Sequence, residues 1–382
     1  MSTIKVQNIQ HTGSSTNAIA LASDGTCTAN ITNNLSNRNL IINGAMQVAQ
    51  RGTSSTDANG FFTVDRIKIQ YGGTDENLTQ AQADVASGTT PYTSGFRKAY
   101  KITNGNQTGG AGAADFIQIK YFIEAQDIAN SGWNYTDSNS KITLQFWVKS
   151  SVAQDFPVEL ISDDGTAQSF TFMTGSLTAD TWTKVTKTIS GDSNLQFDNN
   201  NGKGLSIFWH VFLGTDYTGS ISNDTWRAQN DNTQANDMTS TWYTTNDATF
   251  EITGVQLEVS DHATDFEHRS FGQEFELCKR YCQRFDAERI AVGVAGGPTE
   301  NYVVIHFSTA MRATPSISVT ALGQVVKEGI SWYNNTAINV NNTMGSFGLT
   351  QGLQVMSSNT GMSATNAVTI GNGADFTLSA EL

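Results

Sequence analysis

The chain is 382 residues long, carries a net charge of −13 and is only 15% charged, a length that holds two or three domains with cores of their own. Nucleic acids and anionic membrane surfaces are held by clustered Lys and Arg, and no such cluster stands in the sequence, so no nucleic-acid partner is expected. No apolar run reaches the roughly 18 residues of a membrane-spanning helix, and the opening MSTIKVQNIQ has no signal-peptide layout, which predicts no membrane insertion and synthesis in a cytosol.

Gly, Asn, Thr and Ser are abundant, and Asn-, Asp- and Gly-rich turns separate many short β-branched runs, the pattern of an all-β chain. Residues 1–36 read as a β arm. Ile4 and Val6, then Ile19 and Leu21, then Cys27, Ala29 and Ile31 mark three short alternating strands. The arm is too small to bury a core and is expected to find partners outside itself.

Residues 37–270 read as a two-sheet body of about ten strands. In KITLQFWVKSS, Ile142, Leu144, Phe146 and Val148 share one face, while Thr143, Gln145, Trp147 and Lys149 share the other. Asp163, Asp164 and Gly165 form a hairpin turn. A polar stretch over 213–248 interrupts the body and holds Tyr217, Trp226, Arg227, Trp242 and Tyr243; a connection of that length in a compact domain is functional or disordered. Residues 271–287 read as an amphipathic linking helix. Phe271, Phe275, Cys278, Cys282 and Phe285 recur at spacings of four and three, a face that packs on its own chain or on sister copies. Residues 288–382 form a small C-terminal β-sandwich, the tip.

No nucleophile–base motif, P-loop or metal-protease pattern occurs, and the five histidines are scattered, so no catalytic residue is assigned and the chain is expected not to be an enzyme. Cys278 and Cys282 read as buried free thiols. Stacking on sugar rings needs exposed aromatic faces beside amides and charges. Trp147 with Gln145 and Lys149, and Trp226, Arg227, Trp242 and Tyr243 in the polar stretch, are the candidates for glycan binding. Trp133, Trp182, Trp209 and Trp332 are assigned to cores.

The opening NLIINGAMQVAQRGT…FTVDRI and the closing ITGVQLEV…ATDFEHRSFGQEFELCKRYCQRF resemble the body of tailed-bacteriophage tail-fibre and virion fibre proteins. The match covers about residues 39–285. KITLQFWVKSS, ADTWTKVTKTIS and TFEITGVQLEV resemble inner strands of jelly-roll carbohydrate-binding modules. The resemblance implies a virion-located homotrimer that meets other virion proteins through its N-terminus, with Ile4, Val6, Ile19 and Leu21 as attachment residues, and that contacts a host surface glycan or receptor. It implies no cofactor except a structural Ca²⁺ near Asn43 and Glu258, and it allows the helix face to line a three-fold axis. A capsid-decorating head fibre and a glycan-degrading tailspike are the two rival readings.

Overall fold

The computed structural model describes residues 5–13, 18–23, 27–29, 37–56, 59–286, 289–297, 299–327, 331–340, 352–358 and 367–382. The arm contributes β1 (Asn8–Ile9), β2 (Ile19–Leu21) and β3 (Cys27–Ala29), an antiparallel sheet in chain order. Ile4 lies outside the described residues, and the first strand falls at Asn8–Ile9 rather than at Val6, which precedes it as coil.

The body follows as β4 (Ser54–Ser55), β5 (Lys68–Gly72), β6 (Thr79–Asp84), α1 (Thr90–Thr93), β7 (Lys98–Thr103), β8 (Phe116–Glu124), α2 (Ala125–Ala129), β9 (Lys141–Ser150), β10 (Pro157–Ser162), β11 (Gln168–Met173), β12 (Thr183–Ser190), β13 (Lys203–Leu213), β14 (Trp226–Ala228), α3 (Thr241–Thr244) and β15 (Thr249–Glu258). Two six-stranded sheets result. The first runs β14-β11-β10-β13-β8-β5 and the second β12-β9-β15-β7-β6-β4, with every named strand pair antiparallel. The period-two pattern of β9 sets the packing: Ile142, Leu144, Phe146 and Val148 are all fully buried. Phe146 meets Trp209 of β13 edge-on at 5.7 Å between ring centroids, and Phe156 meets Phe250 of β15 at 4.9 Å. One continuous core joins the two sheets, so the all-β expectation and the two-sheet body both hold.

Two glycines of the body's opening and closing motifs have a packing reason. Gly254 sits at φ +63 where the β9–β15 register slips, and a Cβ there would meet the Phe96 ring at 2.7 Å; a bulge of this kind favours glycine. Gly44 lies so close to β15 that a Cβ would run into the Val255 carbonyl, and its own carbonyl accepts from Val255 N at 2.9 Å.

The linking helix is shorter than its sequence pattern. α4 (Phe271–Lys279) opens with a capping box between Ser270 and Gln273 and is followed by β16 (Cys282–Phe285). β16 belongs to the C-terminal sheet with β17 (Arg289–Ala295), β18 (Glu300–His306), β19 (Ser316–Lys327), β20 (Ser331–Asn334), β21 (Ala337–Val340), β22 (Gly352–Ser358) and β23 (Ala367–Ser379). The helix stops because Cys282–Phe285 pairs in register with Ser379–Phe376 of β23, which demands extended backbone. The expected helix over 271–287 is thereby corrected to nine residues, and the C-terminal unit begins at Cys282. No helix among the described residues is long and apolar enough to cross a membrane.

Candidate functional site

The polar face of β9 does not lie open along its length. Residues 260–266 cross over it: Thr143 Oγ1 donates to the Ser260 carbonyl at 2.9 Å, and Gln145 Nε2 donates to the Thr264 carbonyl at 2.7 Å. Beyond that strap a cleft of about 530 Å³ opens. Trp147, half-buried, forms its floor with Phe96 and Phe266, whose rings meet edge-on at 4.8 Å. Lys184 stands directly across from Trp147 on β12 and Thr253 on β15. Exposed Thr93, Ser94, Lys184, Asp265 and His268 make a polar rim, with His268 Nε2 lying 3.0 Å from the Ser94 carbonyl. An aromatic floor within a rim of hydroxyls, a cation and a carboxylate suits a polyol ring, apolar on its C–H face and hydroxylated at its edge. Among the described residues Asp265 is the one carboxylate lining the cleft, whereas glycosidic hydrolysis by the usual route needs two.

The other expected glycan residues are engaged by neighbours within the chain. Lys149 pairs with Glu251 at 3.0 Å and covers the Trp182 ring at 5.1 Å. Trp226 packs on Phe170 at 5.5 Å, and its Nε1 donates to the Ser190 carbonyl at 2.8 Å, which ties the edge of the first sheet to the end of β12. Arg227 reaches Glu159, Thr171 and the Gln234 carbonyl. Trp242 is fully buried and Tyr243 nearly so, the latter donating to Asp115 Oδ2 at 2.9 Å. These two are removed from the set of sugar contacts: α3 turns them into the core, and burial pushes the Tyr243 phenol up. The polar stretch thus supplies the edge strand of the first sheet and two aromatic residues of the core. Trp133, Trp182 and Trp209 are buried as expected, and the side chain of Trp332 lies outside the described residues.

The side chains of Asn43 and Glu258 are engaged within the protein. Asn43 Nδ2 donates to the carbonyls of Val48 and Asp65, and its Oδ1 accepts from Val48 N. Glu258 accepts from Gln256 Nε2, Thr264 N and Thr264 Oγ1. Among the described residues no group of three His, Cys, Asp or Glu could hold a metal.

The helix face also departs from its pattern. The residues that α4 buries are Glu274 and Cys278, whereas Phe271 is 57% exposed. Phe271 and Phe275 stack at 5.9 Å on the outer side, and Leu277 is exposed on a different face of the helix. Cys278 and Cys282 are buried free thiols, and burial pushes both well up. Phe285 packs on Phe376 at 5.3 Å within the C-terminal sheet. In the arm, Val6 and Leu21 are exposed and Ile19 is half-buried.

No family model matches the chain, and no curated protein matches it. Among solved structures it is similar to the enzymatically active domain of tailspike protein 4 of bacteriophage CBA120 at 8% identity and a TM-score of 0.31, over 58% of this chain and 21% of that one. It is similar to the N-terminal cellulose-binding domain of Cellulomonas fimi β-1,4-glucanase C at 11% identity and a TM-score of 0.28, over 56% of this chain and 98% of that one. A family 11 carbohydrate-binding module of a Clostridium thermocellum cellulase follows at 11% identity and 0.25, over 56% and 95%. The chain thus spans about a fifth of the tailspike domain it is similar to, and the fold stands on its own strand order and register.

The sequence motifs converge at a joint that no single motif disclosed. Arg66, at φ +73 and 1% exposed, follows Asp65 in FTVDRI. Its guanidinium bonds Glu381 and the Phe122 carbonyl and stacks on Tyr281. Arg51 joins Glu381 at 3.2 Å and Asp65 at 3.8 Å. Arg280 grips Glu124 with two contacts of 2.7 Å, and Tyr281 donates to the same carboxylate. Body, helix and last strand are locked through buried ions. Desolvation raises Asp65 to about 6 despite Arg51.

Proposed function

We propose that this chain is a virion fibre protein whose body contacts a host surface glycan through the Trp147 cleft, without cleaving it. The cleft carries the reading: an indole, two phenyl rings and a polar rim with one carboxylate fit recognition of a sugar better than hydrolysis. The arm would attach to the particle. Its strands expose Ile9 and Leu21, and the coil before them exposes Val6; a sheet of that size gains stability only by further pairing. The outward Phe271–Phe275 stack supports self-association, with a homotrimer as the expected state, and several weak sites on one particle would sum to firm attachment.

The test is a glycan array with the full chain, followed by titration calorimetry of the best ligand against wild type and Trp147→Ala. Loss of about tenfold or more in affinity, the scale of one lost stacking contact, supports the reading. An empty array, equal binding by the variant, or release of reducing ends from the ligand overturns it.

A further inference from the structure

The first sheet gathers cations that lie far apart in sequence. Lys68 of β5 stands directly opposite Lys120 of β8, which stands opposite Phe208 of β13. Lys120 Nζ lies 4.2 Å from the Phe208 centroid, and Lys203 Nζ lies 5.2 Å from the Phe122 centroid. Lys68 Nζ sits 5.9 Å from both Phe122 and Phe61. Burial, then repulsion from Lys68 and Lys203, pulls the Lys120 ammonium down to about 8.

These charges are only partly balanced: Asp231 and Glu159 act on Lys120 without pairing with it, and Glu159 stands across from Phe208 on β10. Neither Lys68 nor Lys120 makes an ion pair among the described residues, and Lys203 reaches Asp163 only at 3.8 Å. Like charges directly opposite on paired strands destabilise a sheet. The chain has 35 acidic residues to 22 basic ones, so carboxylates to neutralise this face are plentiful elsewhere. The other half of the same face shows what neutralisation looks like: Glu159 is held by Arg227 and lies 3.1 Å from His210.

We propose that this half of the first sheet binds an acidic saccharide, its anionic group set between Lys68 and Lys120 and its ring laid on Phe208. An anion there removes the repulsion that the free protein carries, and an aromatic face beside each cation suits the C–H side of a sugar ring. Nucleic acid is disfavoured, because three lysines neutralise few phosphates against a net charge of −13. The class of ligand rests on the glycan reading above, but the site is a different one: β5, β8 and β13 belong to the sheet opposite the Trp147 cleft.

The experiment titrates the full chain with a galacturonate oligosaccharide, a sulfated dextran oligosaccharide, neutral dextran and single-stranded DNA of matched length, at low and high salt. Wild type, Lys68→Gln/Lys120→Gln and Trp147→Ala are compared, and the free proteins are also melted. The expected result is binding of one or both acidic saccharides that weakens with salt. The lysine variant should lose about tenfold or more, Trp147→Ala should bind as wild type, and the free lysine variant should melt above wild type. Binding of the carboxylated or of the sulfated oligomer alone identifies the anionic group. The proposal is overturned if neither acidic saccharide binds, if the lysine variant binds unchanged or melts below wild type, or if DNA binds as tightly. Failure of the Trp147 cleft leaves these readouts intact, so the two sites are tested separately.

Discussion

The guanidinium of Arg66 lies 3.4 Å from the centroid of the Tyr281 ring, joining the start of the body to the residue just before β16. The same guanidinium pairs with Glu381, with side chains 1% and 4% exposed. Removing one partner of such a pair strands a buried charge, which costs about 3–5 kcal/mol. Arg66→Ala is expected to lose stability on that scale in denaturant melts. Glu381→Gln added to it should cost far less than the two single changes summed, and strict additivity would show that the pair is not coupled.

Asp65 gives the joint a pH signature. Its folded pKa is raised from 3.8 to about 6, so the folded state holds this proton more tightly than the unfolded chain. The associated stability is fully present below about pH 4 and is lost as pH rises through about 6, a span on the order of 3 kcal/mol. Wild type is therefore expected to lose stability relative to Asp65→Asn between pH 4 and pH 7. A stability difference that stays flat over that window contradicts the assignment.

Cys278 and Cys282 are predicted to be inert in the folded protein, since burial raises both thiols and the thiolate is the reactive form. In a Cys27→Ser background, an aromatic disulfide reagent at neutral pH should label neither until denaturant unfolds the chain. Prompt labelling in native buffer would show that the helix face opens.

Gly254→Ala is expected to destabilise the body by roughly 1–2 kcal/mol, because a Cβ at φ +63 is strained. The new methyl would also press on Phe96, part of the cleft floor, so glycan affinity should fall together with melting temperature. An unchanged melt would mean that the bulge relaxes at no cost.

Much of the body was legible from local pattern. The alternation in β9 named its buried face, and Asp163–Gly165 turned between β10 and β11 as read. Period two sends Trp147 away from Phe146, which leaves it half-buried on the other face of β9. What the sequence hid was long-range. Trp242 and Tyr243 sit in a polar stretch, and nothing local discloses that a single helical turn drives them inward. The four–three spacing after Phe271 continues past the helix end because it reflects two partners in turn, the body for Cys278 and β23 for Cys282. Lys68, Lys120 and Lys203 become neighbours only through strand order, so a chain without a basic run still builds a basic face.

The Arg66–Glu381 contact spans 315 residues. At ribosomal rates of roughly 5–20 residues per second, Arg66 waits about 15 to 60 s for its counterion. Any chain cut short before β23 carries an unanswered cation where the body should close, and it lacks the strand that β16 needs. Closure of the body around Arg66 therefore depends on synthesis having passed β23.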